Sequence, residues 1–246
     1  MSIFLSYKIF ILKITAIFIL FFFVNTFGFC QSENKNSFGL TFGFGSSQFA
    51  FNGDYIKDWR VGKKKKFGMG IGARFSIHSG RNLYFATAPA KLTSGSNSPL
   101  ILFKDNINKN IDSVQLKSSF VGMFNLLINL DYAFSQKFMV GFNIDFIGFS
   151  FGAKQSGTYL KEGIGTPTEA SPSPFNLLLI SDNDLGSLNS ELYFKYFINE
   201  NWGIKAAAQF IFAEYTTTSK VQTFPSENDR FRKKGLLPSI GVVYRL

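Results

Sequence analysis

The chain has 246 residues, among them 32 Phe and 22 Gly against only 7 Pro, and 17% of its residues are charged. That length admits one ordinary domain or one small barrel and excludes two large domains. So many aromatic residues are hard to enclose in a soluble core, but they suit strands that turn an apolar face to lipid. The formal charge of +10 calls for an anionic partner. The basic residues gather in connecting segments rather than along a helix, and no nucleic-acid motif is present, so anionic lipid is expected and nucleic acid is not.

At the N-terminus, Lys8 and Lys13 lead into a largely apolar run from Ile14 to Val24, followed by Asn25, Thr26, Phe27, Gly28, Phe29 and Cys30. The run is shorter than the roughly 20 residues of a membrane-spanning helix and has the layout of a cleavable signal peptide over residues 1–30. Gly28 and Cys30 take the small-residue places before a cut at Gln31. Lipidation of Cys30 is the rival reading, against which the bulky Phe29 stands. Cys30 is the only cysteine, so the mature chain is expected to form no disulfide.

From residue 31 onward the apolar residues recur with a period of two. Phe38, Leu40, Phe42 and Phe44 alternate with Gly39, Thr41, Gly43 and Gly45. Phe67 through Ile77 alternates Met, Ile, Ala and Phe with glycine, Arg74 and Ser76, and His78 follows in the second set. A weaker strand is expected from Leu83 to Thr87. Phe124, Leu126, Ile128, Leu130 and Tyr132 interleave with Asn125, Asn129 and Asp131, and Phe138 through Phe146 interleaves with Asn143 and Asp145; the two are expected to pair as a hairpin. Leu192, Phe194 and Tyr196 alternate with Glu191 and Lys195, Trp202 through Phe212 with Lys205 and Gln209, and Ile240, Val242, Tyr244 and Leu246 with Arg245.

This makes eight strands. The connectors between them read as long from Asn52 to Lys66, short at Ser79 to Arg81, long from Ala88 to Lys117, short at Phe134 to Lys137, long from Ser156 to Asp184, short at Asn199 to Asn201 and long from Ser219 to Lys233. Short turns on one side and long loops on the other are the pattern of an outer-membrane barrel, with both mature termini in the periplasm and Trp202 in an aromatic girdle. The expected fold is therefore all-β: an eight-stranded, antiparallel, up-and-down transmembrane β-barrel over residues 31–246. A soluble barrel would place the apolar set inside.

These alternations, with the closing Ile240, Val242, Tyr244, Leu246 series, resemble the small outer-membrane β-barrel proteins of the OmpA-barrel and OmpX kind and their PorT-like relatives. The resemblance covers most of Gln31 to Leu246, and the C-terminal series is similar to a barrel-assembly signal, although such signals usually end in an aromatic residue and Leu246 is last here. It implies a Gram-negative outer-membrane location, contact with the barrel-assembly machinery and a functionally mixed family.

Alternation places Arg74, His78, Asp131, Asp145, Glu191, Lys195, Lys205 and Arg245 inside the barrel, with Asn125, Asn129, Asn143, Asn189 and Gln209. An eight-stranded barrel is just wide enough for side chains to fill, so these groups are expected to pair as a polar core. A conducting or binding lumen is the alternative. His78 is the only histidine and is expected inside, close to a periplasmic turn, away from any serine at the outer rim; no catalytic role, metal site or cofactor follows. Ser181 to Asp184 lacks the full calcium-loop pattern.

Lys63, Lys64, Lys65 and Lys66 form the densest charge run, placed by this reading in the first long loop, beside the last loop with Lys220, Arg230, Arg232, Lys233 and Lys234. A basic patch on the outer rim facing lipopolysaccharide phosphates is the resulting expectation, with simple solubility of an exposed loop as the alternative. The apolar runs Pro99 to Phe103 and Pro174 to Ile180 are expected to extend strands, to pack on each other or to receive a protein partner. The function expected is a non-enzymatic structural or surface-interaction role through the long loops; a small pore and an accessory part in protein export are the alternatives.

Overall fold

In the computed structural model the described residues are 34–95, 105–179 and 183–246. The expected signal peptide, Cys30, the run Pro99 to Phe103 and residues 180–182 lie outside them.

Eight strands close into an antiparallel ring: β1 (Asn34–Gly45), β2 (Gln48–Val61), β3 (Phe67–Thr87), β4 (Ser113–Ala133), β5 (Phe138–Phe151), β9 (Leu188–Phe197), β10 (Trp202–Thr217) and β11 (Arg230–Arg245), the last pairing back onto β1. Between β5 and β9 lie three further strands, β6 (Gln155–Lys161), β7 (Ile164–Pro172) and β8 (Phe175–Leu177). A short helix α1 (Ala90–Ser94) and a 3-10 turn at Asn108–Asn110 interrupt the β3–β4 connection.

The ring has the expected number of strands, but its first half is arranged differently. Asn52 to Lys66 is not a long loop. Most of it is strand β2, paired with β1 from Asn34↔Trp59 to Gly45↔Gln48. Ser79, Gly80 and Arg81 do not form a turn: they lie within β3, which runs unbroken through Leu83 to Thr87. The β1–β2 connection is consequently only Ser46 and Ser47, and the segment Gly62 to Lys66 is a short turn at the end that holds both described termini. Long and short connections therefore do not strictly alternate. The long ones, β3–β4, β5–β9 and β10–β11, all leave the opposite end.

Side chains follow the pleat. Phe38, Phe42, Ile71, Leu126, Ile128, Phe142, Phe194, Ile204 and Ile240 are exposed on the outside, whereas Asp131, Asp145, Arg74 and Glu191 are buried inside; Ile128 is 42% exposed and Asp145 0%. No folded protein in water leaves such a continuous apolar exterior around a charged interior. On β10 the outward apolar band runs over the 11 residues from Trp202 to Phe212, the length a tilted strand needs to cross a bilayer. At the terminal end aromatic rings pair around the circumference: Trp202 with Tyr244 at 4.8 Å, Phe138 with Tyr196 at 4.8 Å and Tyr132 with Phe134 at 5.1 Å between centroids. This is the band-and-girdle exterior of an outer-membrane barrel.

Past the band the architecture changes. β1, β2 and β9 end, while β3, β4, β10 and β11 continue. Above the β1–β2 turn β11 pairs directly with β3, Phe231↔Thr87 and Arg232↔Ala86. On the far side β4 pairs with β6, β6 with β7, and β7 with β10. Those pairings close a second, narrower ring of six strands, β3, β4, β6, β7, β10 and β11, on top of the first.

The change of core follows from the pleat as well. Opposite each other at Asn82 and Lys117 the ladder skips a pair, and Asn82 has a φ of 50°. Below that point even-numbered β3 residues face inward; above it Leu83 and Phe85 do. The result is an apolar upper core of Leu83, Phe85, Val114, Leu116, Val121, Met123, Tyr159, Ile211, Tyr215, Phe231 and Leu237.

Candidate functional site

The interior has three storeys. Nearest the termini, Arg60 bonds Asp131, Asn129 donates to Asp58 at 2.9 Å, and the Tyr193 hydroxyl donates to Asn129 at 2.6 Å. Lys195 lies over the Tyr193 ring at 4.4 Å. Arg245 points into this end, stacked 3.2 Å from the Phe197 centroid. Glycine makes the storey fit: a Cβ on Gly68 would lie 2.7 Å from an Asp131 carboxylate oxygen.

In the middle, Arg74 is wholly buried and holds Asp145 at 3.0 Å and Glu191 at 3.4 Å, besides bonding Asn143. Lys205 approaches Glu191 at 3.1 Å and Asp54 at 3.4 Å. Gln209 and Asn143 donate to Glu191 at 2.9 and 3.1 Å, and Asn125 donates to Asp145 at 2.9 Å. Buried charges survive only when paired and hydrogen-bonded in this way. Arg74, Asp145, Glu191 and Lys205 thus form one network, with Asp131 and Lys195 below it and Arg245 at the terminal mouth.

His78 is buried but not beside a turn of the terminal end. It lies opposite Ala50, near the two-residue β1–β2 connection, and its Nε2 is 3.1 Å from Gln48. This differs from the expectation because the chain does not turn at Ser79 to Arg81 but runs on through β3.

Above comes the apolar core, and above that a lid. Thr87 donates to Gln222 at 2.9 Å, Asn228 donates to the same oxygen at 2.9 Å, and Gln222 donates to the Asn110 carbonyl at 2.8 Å. Tyr159 donates to Asp112 at 2.6 Å, and burial, followed by this bond, raises its hydroxyl pKa above the ordinary value. On the outer surface of the upper tier Glu214 is buried beneath the segment Asp184 to Ser187. It accepts from the Gly186 N–H at 3.2 Å and from Arg230 and Arg232 at 2.9 and 2.7 Å.

The four lysines 63–66 occupy the β2–β3 turn, at the end that carries the termini. They are not on the rim of the long connections and are not neighbours of Lys220, Arg230, Arg232, Lys233 and Lys234. The expected shared basic patch does not form, because β2 is a strand rather than a loop and returns the chain to the terminal end before Lys63. The described part of the long connector from Ser156 to Asp184 carries most of the β6–β7 hairpin and β8.

Asp54, Asp58, Arg60 and Asn52 belong to the interior and were missed for the same reason. Their signal was present: Ala50, Asn52, Asp54, Ile56 and Asp58 face in, against Phe49, Phe51, Tyr55, Lys57 and Trp59. Glu214 carried no sequence signal, since only the folded-over segment buries it. Among the described residues no cluster of three His, Cys, Asp or Glu side chains could hold a metal ion.

No protein-family model and no curated protein matches the chain. Solved structures similar to it include the outer-membrane protein Ail of Yersinia pestis in a phospholipid nanodisc, at 8% identity and a TM-score of 0.37 over 87% of this chain and 100% of that one. Neisserial surface protein A is similar at 9% identity and a TM-score of 0.34 over 87% and 96% of the two chains. The toluene transporter TodX of Pseudomonas putida is similar at 10% identity and a TM-score of 0.25 over 86% and 89%.

Proposed function

We propose that the chain is a non-enzymatic, non-conducting outer-membrane barrel that presents its six-stranded upper tier to the outside as a rigid contact surface. The observation that carries this reading is the buried apolar core of that tier, built around Phe85, Leu116, Met123, Ile211, Tyr215 and Phe231 and seated on a charged interior whose cations and carboxylates bond one another. A pore needs a continuous wet path, and this interior is filled twice over. A surface for recognition needs rigid, exposed positions. Strands β6 and β7 with the pinned lid supply them, turning the connections from mobile loops into framework.

In this reading both mature termini and the Lys63 to Lys66 turn face the periplasm, and the long connections face outward. Planar-bilayer recording of the refolded mature chain tests the closed interior: no step conductance is expected, and a large, stable conductance would overturn it. Labelling intact cells with a membrane-impermeant maleimide tests the orientation. Glu162→Cys is expected to label and Lys64→Cys to stay protected; the reverse pattern would invert the barrel.

A further inference from the structure

The short turn between β2 and β3, Gly62 to Lys66, carries four lysines and no carboxylate. It is closed by the Lys65 N–H, which donates to the Gly62 carbonyl at 3.0 Å. A second turn is joined to it. The Ala133 N–H donates to the Lys66 carbonyl at 2.8 Å, and the Lys66 ammonium donates to the Phe134 carbonyl at 3.5 Å. The β4–β5 turn, Phe134 to Lys137, thereby adds Lys137 to the group and again brings no carboxylate. All five of these lysines are exposed.

Two features distinguish this cluster from a solvated basic turn. The first is its lack of acid partners. At the opposite end Lys154 is spent on Glu169 at 3.3 Å, Lys220 on Glu227 at 2.8 Å and Arg230 on Glu214 at 2.9 Å. Lys63, Lys64, Lys65 and Lys137 form no ion pair with a described carboxylate, and the exposed acidic side chain on the described turns of their end, Glu200, sits on the next turn round, between β9 and β10. The second is height. Phe67, directly after Lys66, pairs with Tyr132, and the two outward rings are 42% and 39% exposed. Tyr132 packs edge-on against Phe134 at 5.1 Å. The lysines therefore begin where the apolar band ends, at the level of lipid headgroups. On β2 the Lys57 ammonium lies 5.8 Å over the ring of outward-facing Trp59 and brings a sixth cation to that layer. Like charges held this close repel one another, and an anionic headgroup offsets the repulsion where a zwitterionic one, neutralised by its own amine, does not.

We infer that the two joined turns are a docking surface for anionic phospholipid headgroups, with Lys63, Lys64, Lys65 and Lys137 meeting the phosphates and Trp59 and Tyr132 seated beside them at the interface. That these lipids belong to the periplasmic leaflet rests on the orientation proposed above; the headgroup preference rests on the turns alone.

The protein carries its own reporters, since its two tryptophans are Trp59 and Trp202. The full mature chain is refolded into vesicles of phosphatidylcholine and phosphatidylglycerol in which one lipid or the other is brominated near its headgroup, and quenching of Trp59 is read in a Trp202→Phe background. Both leaflets hold both lipids, so the direction of insertion does not enter. Failure of the orientation therefore appears only in the labelling of Glu162→Cys and Lys64→Cys, and failure of the docking surface only here. Phosphatidylglycerol is expected to associate about fivefold more strongly than phosphatidylcholine at Trp59, the effect of roughly one added cation at an anionic surface. In K63Q/K64Q/K65Q/K66Q that preference is expected to fall below about twofold. Salt at 1 M, where the screening length is about 3 Å, is expected to do the same to the parent and needs no variant to fold. Trp202, two residues from Glu200 and read in a Trp59→Phe background, is expected to show no preference. Equal quenching of Trp59 by the two lipids, a preference that survives the quadruple variant or 1 M salt, or the same preference at Trp202 overturns the assignment.

Discussion

The Tyr215 hydroxyl spans the upper tier to the backbone of Phe120, accepting from its N–H at 2.8 Å and donating to its carbonyl at 3.0 Å. One side chain on β10 thus satisfies both main-chain groups of a residue on β4, where the eight-stranded ring gives way to the six-stranded one. Tyr215→Phe keeps the ring in the apolar core but strands both Phe120 groups. The expected cost is about 1–3 kcal/mol, read by urea unfolding from lipid vesicles, with faster amide exchange at Phe120. Unaltered exchange there would show that the bridge does not hold the junction.

The middle storey depends on Arg74. Among the described residues, Arg74→Leu removes the only cation within ion-pair distance of Asp145 and leaves Glu191 with Lys205. The expected loss is about 3–5 kcal/mol, because an uncompensated buried charge remains. Adding Asp145→Asn to Arg74→Leu is expected to recover part of that loss, and the same unfolding assay reads both. A double variant no more stable than the single one would place the cost elsewhere.

Position along the wall decides the effect of a charge outside it. Ile128→Arg, in the middle of the apolar band, is expected to cost about 2–4 kcal/mol. Ile164→Arg, at the β6–β7 tip where the residue is 73% exposed, is expected to change stability by no more than about 0.5 kcal/mol. Equal costs at the two sites would contradict the height assigned to the bilayer.

The upper tier should respond to alkali. Burial and the bond to Asp112 raise the Tyr159 hydroxyl above its ordinary value of 10.0. An acid whose folded pKa is raised contributes stability in full below its unfolded pKa and loses it as pH climbs past that value. Unfolding of the hairpin region is therefore expected to become easier above about pH 10, and less so in Tyr159→Phe. Absorbance at 295 nm follows the ionisation and amide exchange follows the loosening. Identical alkaline profiles for the two proteins would remove Tyr159 as the cause.

Much of the wall was legible because lipid imposes a simple rule on it: Leu126, Ile128 and Leu130 out, Asn125, Asn129 and Asp131 in. Strand β2 escaped because Lys57 faces out and Ile56 faces in at the girdle level, so charge and greasiness trade places there and Asp54, Asp58 and Arg60 resemble loop residues. Splitting β3 at Ser79 to Arg81 offset that omission, so the strand number agreed while the end assigned to Lys63 to Lys66 did not. The second ring was illegible for a different reason. Its closure depends on β11 meeting β3, and on β6–β7 filling the place vacated by β5 and β9; both are long-range pairings set by which strands stop, not by local pattern.

The switch at Asn82 and Lys117 also divides how freely the sequence can drift. In the lower barrel one side of each strand answers to hydrocarbon and the other to a charge network, so nearly every position is constrained twice. In the upper tier most outward positions answer to water alone, apart from the covered Glu214, Arg230 and Arg232 cluster, while their inward neighbours keep a core like that of a small soluble protein. Diversification can thus accumulate on that surface, which the proposed orientation turns to the outside of the cell, and sequence inserted at the β6–β7 tip around Glu162 and Gly163 leaves the embedded half untouched.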